Sequence, residues 1–407
     1  ENNQLSGSLP AAWANMTGLM TLTAENNQLS GSLPAAWGAL PSLQTLGLLG
    51  NAQLSCDVPA SWAQLLTRVA SFSCSTGSTK AALAAFYAQN CKGMCSLRWP
   101  TNASYCTWPG ITCDAAESVV SLVFNGGSLG LTGQLSAALG NLSNLALLDL
   151  SNNQLSGTLP VELGRLRRLN QLDLYSNQIG GTVPDEFGGL PLSVLRLNNN
   201  RLNGTLPDAL ARLRSMWFFD MSANQLSGTL PGAYSGLNTS LVYFSVSANQ
   251  LTGSVPEAWS GLGTLRTFLA DQNQLSGPLP ESWSTLSRLQ IMSASANRIG
   301  GTLPATWCNM SQLVSLTLRS NHLTGALPAA WARLGALSYL DVSNNSLNGT
   351  LPADWASLPA SQVYLADNEL SGSLPAAWAN MTGLMTLSAE NNQLSGSLPA
   401  AWANMTG

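Results

Sequence analysis

Charge is scarce in this chain: Asp, Glu, Lys and Arg make up 9% of its 407 residues, the formal net charge is -4, and 45% of residues are hydrophobic. Its exterior must therefore be covered by Ser, Thr, Asn, Gln and Gly rather than by ion pairs. Nucleic acid is a poor partner for such a surface, because phosphate binding needs clustered Lys and Arg. The densest basic stretch, Arg165, Arg167 and Arg168, lies within one stretch of repeat and reads as a solvated turn. Histidine is almost missing, His322 being the single one. No Ser-His-Asp constellation, no His/Cys metal spacing and no phosphate-cradling glycine loop can then be assembled, so neither an enzyme nor a metal or cofactor site is expected. No run reaches the roughly 18 to 20 apolar residues of a membrane helix, which argues against membrane insertion, and Glu1-Asn2-Asn3 does not read as a signal peptide.

What the chain has in abundance is repetition. An Asn recurs at Asn3, Asn27 and Asn51 and, after an interruption, at Asn153, Asn177, Asn200, Asn224, Asn249, Asn273, Asn297, Asn321, Asn345, Asn368 and Asn392. The interval stays between 23 residues (Asn177 to Asn200) and 25 (Asn224 to Asn249) outside the interruption. A fixed period in this range means a solenoid, in which each short unit buries its apolar face only against its neighbours.

Residues 145 to 168 serve as the type unit. Its apolar positions Leu145, Leu148, Leu150, Leu155, Leu159, Leu163 and Leu166 follow LxxLxLxxNxLxGxLPxxLxxL, the leucine-rich repeat pattern. The alternation around Leu148 and Leu150 predicts a short strand with Asp149 pointing outward. Asn153 predicts an inward-turned amide that satisfies backbone groups of adjacent coils. Gly157 and Pro160 complete the L-x-G-x-[LIV]-P signature of the plant-type repeat. The next apolar slot is usually Trp, as at Trp13, Trp37, Trp62, Trp259, Trp283, Trp307, Trp331, Trp355, Trp378 and Trp402, but holds Leu163, Phe187, Leu210 and Tyr234 elsewhere. A slot that exchanges aliphatic for aromatic side chains reads as core filling on the convex side, not as a sugar-stacking ladder. The expected fold is an α/β leucine-rich repeat solenoid of about 24-residue units. It has short parallel strands on a concave face, a 3-10 or irregular convex side, and disulfide-stapled caps in mid-chain.

The interruption carries most of the cysteines: Cys56, Cys74, Cys91, Cys95, Cys106 and Cys113, with Cys308 standing alone. Cysteines grouped where an array stops and restarts read as stapled caps, which implies an oxidising, extracellular compartment. The pattern decays from Cys56 to Cys74 like the closing cap of a solenoid, making those two a plausible pair. A polar linker, Ser75 to Ser78, precedes T-K-A-A-L-A-A-F-Y-A-Q-N-C, a helix candidate, and then C-T-W-P-G-I-T-C-D from Cys106 to Asp114. This order resembles the N-terminal cap of plant-type extracellular leucine-rich repeat proteins, where an A-L-x-x-F helix precedes a C-x-W-x-G-[VI]-x-C staple. The resemblance implies Cys106 with Cys113 and Cys91 with Cys95, although four cysteines allow three connectivities. Cys308 reads as a buried free thiol, an intermolecular bridge being the alternative. The domains expected are residues 1–75, the end and cap of one solenoid; 76–118, linker and N-terminal cap; and 119–407, a second array.

Sequons at Asn15, Asn102, Asn141, Asn203, Asn238, Asn309, Asn344, Asn348, Asn380 and Asn404 support the same compartment and make N-linked glycans an expected partner. Nearly the whole chain resembles plant-type extracellular leucine-rich repeat proteins, among them receptor-like ectodomains and polygalacturonase-inhibiting proteins, with L-P-x-x-W variants similar to algal and trypanosomatid surface antigens. The resemblance implies ligand perception, enzyme inhibition or surface attachment.

Two functional readings follow. Residues 390–407 repeat residues 1–18, an offset of 389 (390 minus 1), and residues 370–383 repeat 5–18, an offset of 365 (370 minus 5). Circular permutation, an artefact, or a window on a longer tandem chain would each produce this. The last suggests a structural or adhesive cell-surface glycoprotein, head-to-tail or fibril-forming, whose partner is itself. The alternative is a recognition ectodomain binding a protein or glycan through its concave face. The candidates there are Trp217, Tyr243, Tyr339, Tyr364, Asp149, Asp173, Arg196 and Asp220, with Tyr175, Arg266, Arg319 and Asp341 beside them. Asp149, Asp173, Asp220 and Asp341 share one strand slot with Arg196, Ser245, Leu269, Ser293, Thr317 and Tyr364, a variety that argues against a paired acid and base.

Overall fold

The computed structural model describes residues 3–48, 51, 53–55, 59–74, 77–91, 104–126 and 130–405. Cys56, Cys95 and Asn102 lie outside the described residues. The chain forms two compact units, Glu1–Gln171 and Leu172–Gly407.

In the second unit each coil contributes a three-residue strand to one parallel ladder. Val194–Arg196, Phe218–Asp220, Tyr243–Ser245, Thr267–Leu269, Ile291–Ser293, Ser315–Thr317, Tyr339–Asp341, Gln362–Tyr364 and Thr386–Ser388 pair in strict register. The period of two sends the central residues Leu195, Phe219, Phe244, Phe268, Met292, Leu316, Leu340 and Val363 into the core and leaves both flanking residues facing out. A second ladder, broken into shorter pieces, follows in most coils, as in Arg298–Thr302, His322–Ala326 and Ser346–Asn348. A five-residue 3-10 helix then opens after a Pro, as in Asp208–Arg212 after Pro207 or Ala329–Arg333 after Pro328. The expected solenoid architecture, with parallel strands on one side and 3-10 segments on another, is the one observed.

The Asn ladder supplies the bonds between coils. Asn249 illustrates it: Nδ2 donates to the Met221 carbonyl one coil back (3.0 Å) and to Val246 and Ser247 in its own coil (3.0 and 3.3 Å). Its Oδ1 accepts the N–H of Leu226 from the previous coil at 2.9 Å. Asn273, Asn297, Asn321 and Asn368 repeat the pattern. The chain reaches each Asn through a left-handed residue that the sequence pattern does not announce. The position just before the ladder Asn has φ near 55° whether it is Asn199, Ser320 or Asp367, and also at Ala223, Ala248 and Ala296, where a Cβ makes that conformation unfavourable.

The variable apolar slot is indeed core. Trp259, Trp283, Trp307, Trp331, Trp355 and Trp378 are fully buried. Each indole N–H donates to the carbonyl of the Pro one coil back, for example Trp259 to Pro231 at 2.9 Å and Trp378 to Pro352 at 2.8 Å. Tyr234 reaches Pro207 the same way through its hydroxyl at 3.2 Å. Consecutive rings stack, with Trp331 and Trp355 6.3 Å apart and Trp355 and Trp378 6.2 Å apart.

In the first unit, Trp13, Trp37 and Trp62 form a similar stack, ended edge-on by Phe72. The cap helix spans Gly77–Asn90, so it begins two residues inside the stretch expected to be linker. Phe86 stacks on Phe124, and Gly110, at φ +81, lies so close under the Phe124 ring that a Cβ would stand 2.2 Å from it. Asn90, at the end of the helix, donates to the carbonyls of Thr132 and Gln134, both at 2.8 Å. A disulfide joins Cys106 to Cys113, the latter on a strand antiparallel to Val119–Val123. Cys74 and Cys91 are each disulfide-bonded, while Cys308 is a buried free thiol. Asn15, Asn141, Asn203, Asn238, Asn309, Asn344, Asn348 and Asn380 are exposed.

Replacing Asn249 by Ala strands a buried N–H and two buried carbonyls at once, and the variant should lose about 3 kcal/mol or more in denaturant unfolding, against less than about 1 for an exposed Asn such as Asn203→Ala. Tyr234→Phe should cost about 1 kcal/mol at neutral pH through the lost bond to Pro207. Burial, and then the nearby Asp208 carboxylate, hold the Tyr234 pKa well above the ordinary phenol value. The native state therefore prefers the protonated form, and the wild type loses stability as pH rises past about 10, where the unfolded chain ionises. The Phe variant's deficit should accordingly narrow in alkaline unfolding curves.

Candidate recognition face

The outward residues of the main ladder in the second unit form rows that cross the strands, because in-register parallel pairing stacks equivalent positions about 4.8 Å apart. Most rows carry short polar side chains. Two places do not, and at the first of them coils 193 to 245 put Trp217, Phe218 and Tyr243 together. Phe218 and Tyr243 occupy equivalent positions on adjacent strands and stack 4.3 Å apart, with planes 1° from parallel. Trp217 meets Phe218 edge-on at 5.4 Å and remains 44% exposed. On the far side the Arg196 guanidinium lies 4.6 Å from the Phe218 ring centre and pairs with Asp173 at 3.2 Å. The result is a layered platform, guanidinium on ring on ring, with an indole at its margin. Such stacking stabilises both partners and fixes the rings without ordering cost at the moment of binding.

Beside it, Asp220 is set by its own coil. Its Oδ1 accepts the N–H and hydroxyl of Ser222 at 3.0 and 2.7 Å, so the carboxylate is oriented while Oδ2 takes no hydrogen bond from the described residues. Asp341 is clasped by Ser343 in the same way, at 3.0 and 2.6 Å. The Tyr243 pKa is raised, first by burial and then by Asp220, with a bond to Ser245 opposing. Tyr339 is raised likewise by burial, Asp341 and Tyr364, against the lowering influence of Arg319. Both phenols are therefore protonated donors at neutral pH. Tyr339 and Tyr364 sit 5.5 Å apart at a 41° tilt, and the Tyr364 hydroxyl donates to Gln362 Oε1 at 3.2 Å. Between the two aromatic groups Ile291 and Val314 are 39% and 41% exposed.

Of the residues singled out from sequence, Trp217, Tyr243, Arg196 and Asp220 converge, while Tyr339 and Tyr364 make a separate pair. Asp173 is buried under Arg196. Asp149 belongs to the first unit and is consumed by its neighbours: Asn125 Nδ2 bonds its Oδ2 at 2.7 Å, and Ser151 its Oδ1 at 2.6 Å. Phe218, the middle of the stack, escaped sequence reading because Trp217-Phe218-Phe219 is an unbroken aromatic run. Aligning Phe219 with the core position Leu195 is the signal that would have turned Phe218 outward. Among the described residues no three His, Cys, Asp or Glu side chains group so as to hold a metal ion, and no helix of the described residues is long and apolar enough to cross a membrane.

Comparison with known proteins places this architecture. The family model described as Leucine Rich Repeat matches residues 144–166, 168–190, 191–213 and 336–358. A receptor-like serine/threonine-protein kinase of rice, SIK1, is 44% identical over 57 residues, 14% of this chain and 6% of that protein. The Arabidopsis thaliana receptor-like kinase GSO2 is 46% identical over 52 residues, 13% of this chain and 4% of that protein. The chain thus matches less than a tenth of the length of either. Among solved structures, the PEPR1–AtPEP1 complex has a TM-score of 0.69 at 31% identity, covering 79% of this chain and 49% of the other. The plant peptide hormone receptor RGFR1 in complex with RGF2 has a TM-score of 0.65 at 27% identity, covering 100% and 72%. A leucine-rich repeat protein of Leptospira interrogans shares the fold at 23% identity and a TM-score of 0.58. The repeats are leucine-rich repeats, and RGFR1, which shares their architecture, is a plant peptide hormone receptor.

Because Asp220 contributes to the raised Tyr243 pKa, Asp220→Asn should move that phenol back toward its ordinary value. Alkaline absorbance titration of the two proteins, with Tyr243→Phe to assign the transition, reads the shift directly; an unmoved transition would mean that Asp220 and Tyr243 do not sense one another.

Proposed function

We propose that this chain is a non-enzymatic extracellular recognition protein that binds a peptide on the outer face of the second unit's main ladder, centred on Trp217, Phe218 and Tyr243. The observation that carries this reading is the layered platform itself. Elsewhere on the ladder the flanking positions are mostly Ser, Thr and Gln, broken by Leu269, Ile291 and the looser pair Tyr339 and Tyr364. Three adjacent coils instead expose a Trp, stack a Phe on a Tyr and cover the outer ring with a charge-paired Arg, none of which the core requires. Rigid aromatic anchors beside an oriented carboxylate are the elements from which binding hot spots are made. The peptide hormone receptor RGFR1, solved in complex with RGF2, supports the same reading by analogy of architecture.

The structural or adhesive role expected first from repeat identity draws no support from the neighbours or from this face, and self-assembly accordingly gives way to ligand recognition. N-linked glycosylation of the exposed sequons, and the division into a first array, a cap and a second array from residue 119, stand as parts of the same proposal. A sheet of paired strands holds the anchors in fixed positions, so binding would cost little backbone ordering and would depend on side-chain complementarity.

Selection of random peptides on the immobilised chain provides the test. Selected peptides should bind Trp217→Ala and Phe218→Ala at least about 30-fold more weakly, corresponding to hot-spot losses of about 2 kcal/mol. Peptides whose affinity ignores both substitutions would place recognition elsewhere on the surface.

A further inference from the structure

The main ladder carries two sites of related composition whose accessible charges are of opposite sign, four strands apart. At the first, Arg196 is neutralised by Asp173, so the Asp220 carboxylate, with Oδ2 unbonded to the described residues, leaves a net negative charge beside Tyr243. One face of the Tyr243 ring is covered by Phe218; the neighbour in register on the other side is Thr267, too short to cover it. An open π-face next to an oriented carboxylate is a receptor for a cationic side chain. At the second site the exposed charge is of the other sign. Asp341 is 5% exposed and clasped by Ser343, whereas Arg319, two residues beyond the Ser315–Thr317 strand that pairs with Tyr339–Asp341, is exposed and enters no ion pair among the described residues. That arrangement favours an anionic side chain.

Between the strand that carries Asp220 and the strand Ser315–Thr317 that leads to Arg319 lie those starting at Tyr243, Thr267 and Ile291, making four steps. At about 4.8 Å per step the sites are about 19 Å apart. The intervening strands are hydrogen-bonded on both sides, so a ligand cannot add itself as a strand there and must cross them, held by side chains. The partly exposed Ile291 and Val314 lie along that crossing.

We infer that the ligand is an extended peptide carrying a basic side chain and an acidic side chain separated by about six residues of about 3.3 Å each, the basic one seated on Tyr243 and Asp220 and the acidic one on Arg319. This inference rests on the recognition reading above and narrows it to a charge pattern and a length.

Its test uses synthetic labelled peptides with Lys and Glu flanking a stiff proline-rich spacer of two, five or eight residues, which sets the charged residues about 9, 19 or 28 Å apart at about 3.1 Å per residue. Fluorescence anisotropy with the full chain should give at least about 10-fold tighter binding for the middle spacer than for either other, the gain expected when two sites are engaged at once. Lys/Lys and Glu/Glu peptides of the same length should lack that preference. Asp220→Asn or Arg319→Gln, neither of them a core position, should abolish it, and Arg319→Glu should transfer it to the Lys/Lys peptide. Affinities that follow net charge without regard to spacing, or no measurable binding by any member of the series, would overturn the two-site inference. Selected peptides sensitive to Trp217→Ala would meanwhile leave recognition by the platform standing, whereas their insensitivity would remove the reading on which this inference rests.

Discussion

The side-chain amide of one Asn per coil is the interaction on which the rest depends. A three-residue strand can satisfy its own backbone groups only while it lasts; where the chain turns out of the ladder, N–H and C=O groups face an apolar interior with no water. Asn is the side chain that presents both a carbonyl oxygen and two amide protons at the length needed to reach the coil behind and its own turn together. Asn249 makes four such bonds within 3.3 Å. Because the bonds run between coils as well as within them, they set the stacking register, and the register in turn aligns the core leucines, the stacked indoles and the outward rows. At the first coil after the cap a helix supplies an amide to a different place: Asn90 donates to the carbonyls of Thr132 and Gln134, on the edge of the second ladder rather than at the turn.

Much of this was legible in the sequence because the repeated residues are repeated for backbone reasons. Asn153, Gly157 and Pro160 predict a turn, a tight bend and a stop, and each occupies that role; the cap helix and the Cys106–Cys113 staple emerge from a local motif of equal specificity. What was not legible is equally physical. The left-handed residue before each ladder Asn is imposed by the coil, so its identity drifts among Asn, Ser, Asp, Gln and Ala, and no residue type marks it. The indole bonds to Pro carbonyls were hidden for a related reason: Leu163, Phe187 and Leu210 fill the same slot with no donor, which makes the position look purely volumetric.

The recognition face was half visible. Aromatic and charged residues in outward slots could be named one at a time, but convergence is a property of side-chain reach. Arg196 and Phe218 are not equivalent positions on adjacent strands, yet the guanidinium extends across to the ring, while Asp149, in the same slot as Asp220, is spent on Asn125. The inner positions of the coils vary within narrow chemical limits and the outer ones freely. That contrast separates a scaffold, which any partner would find the same, from the few coils where the surface departs from it.

The stacked indoles have an optical consequence. Trp331, Trp355, Trp378 and Trp402 lie in a file with centroids 6.2 to 6.4 Å apart and planes within 8° of parallel. Transition dipoles so close and so aligned couple, and absorbed light is shared along the file before any one ring emits. The emission of this molecule is thus a collective property of its buried spine, and a quencher admitted at one coil would darken several.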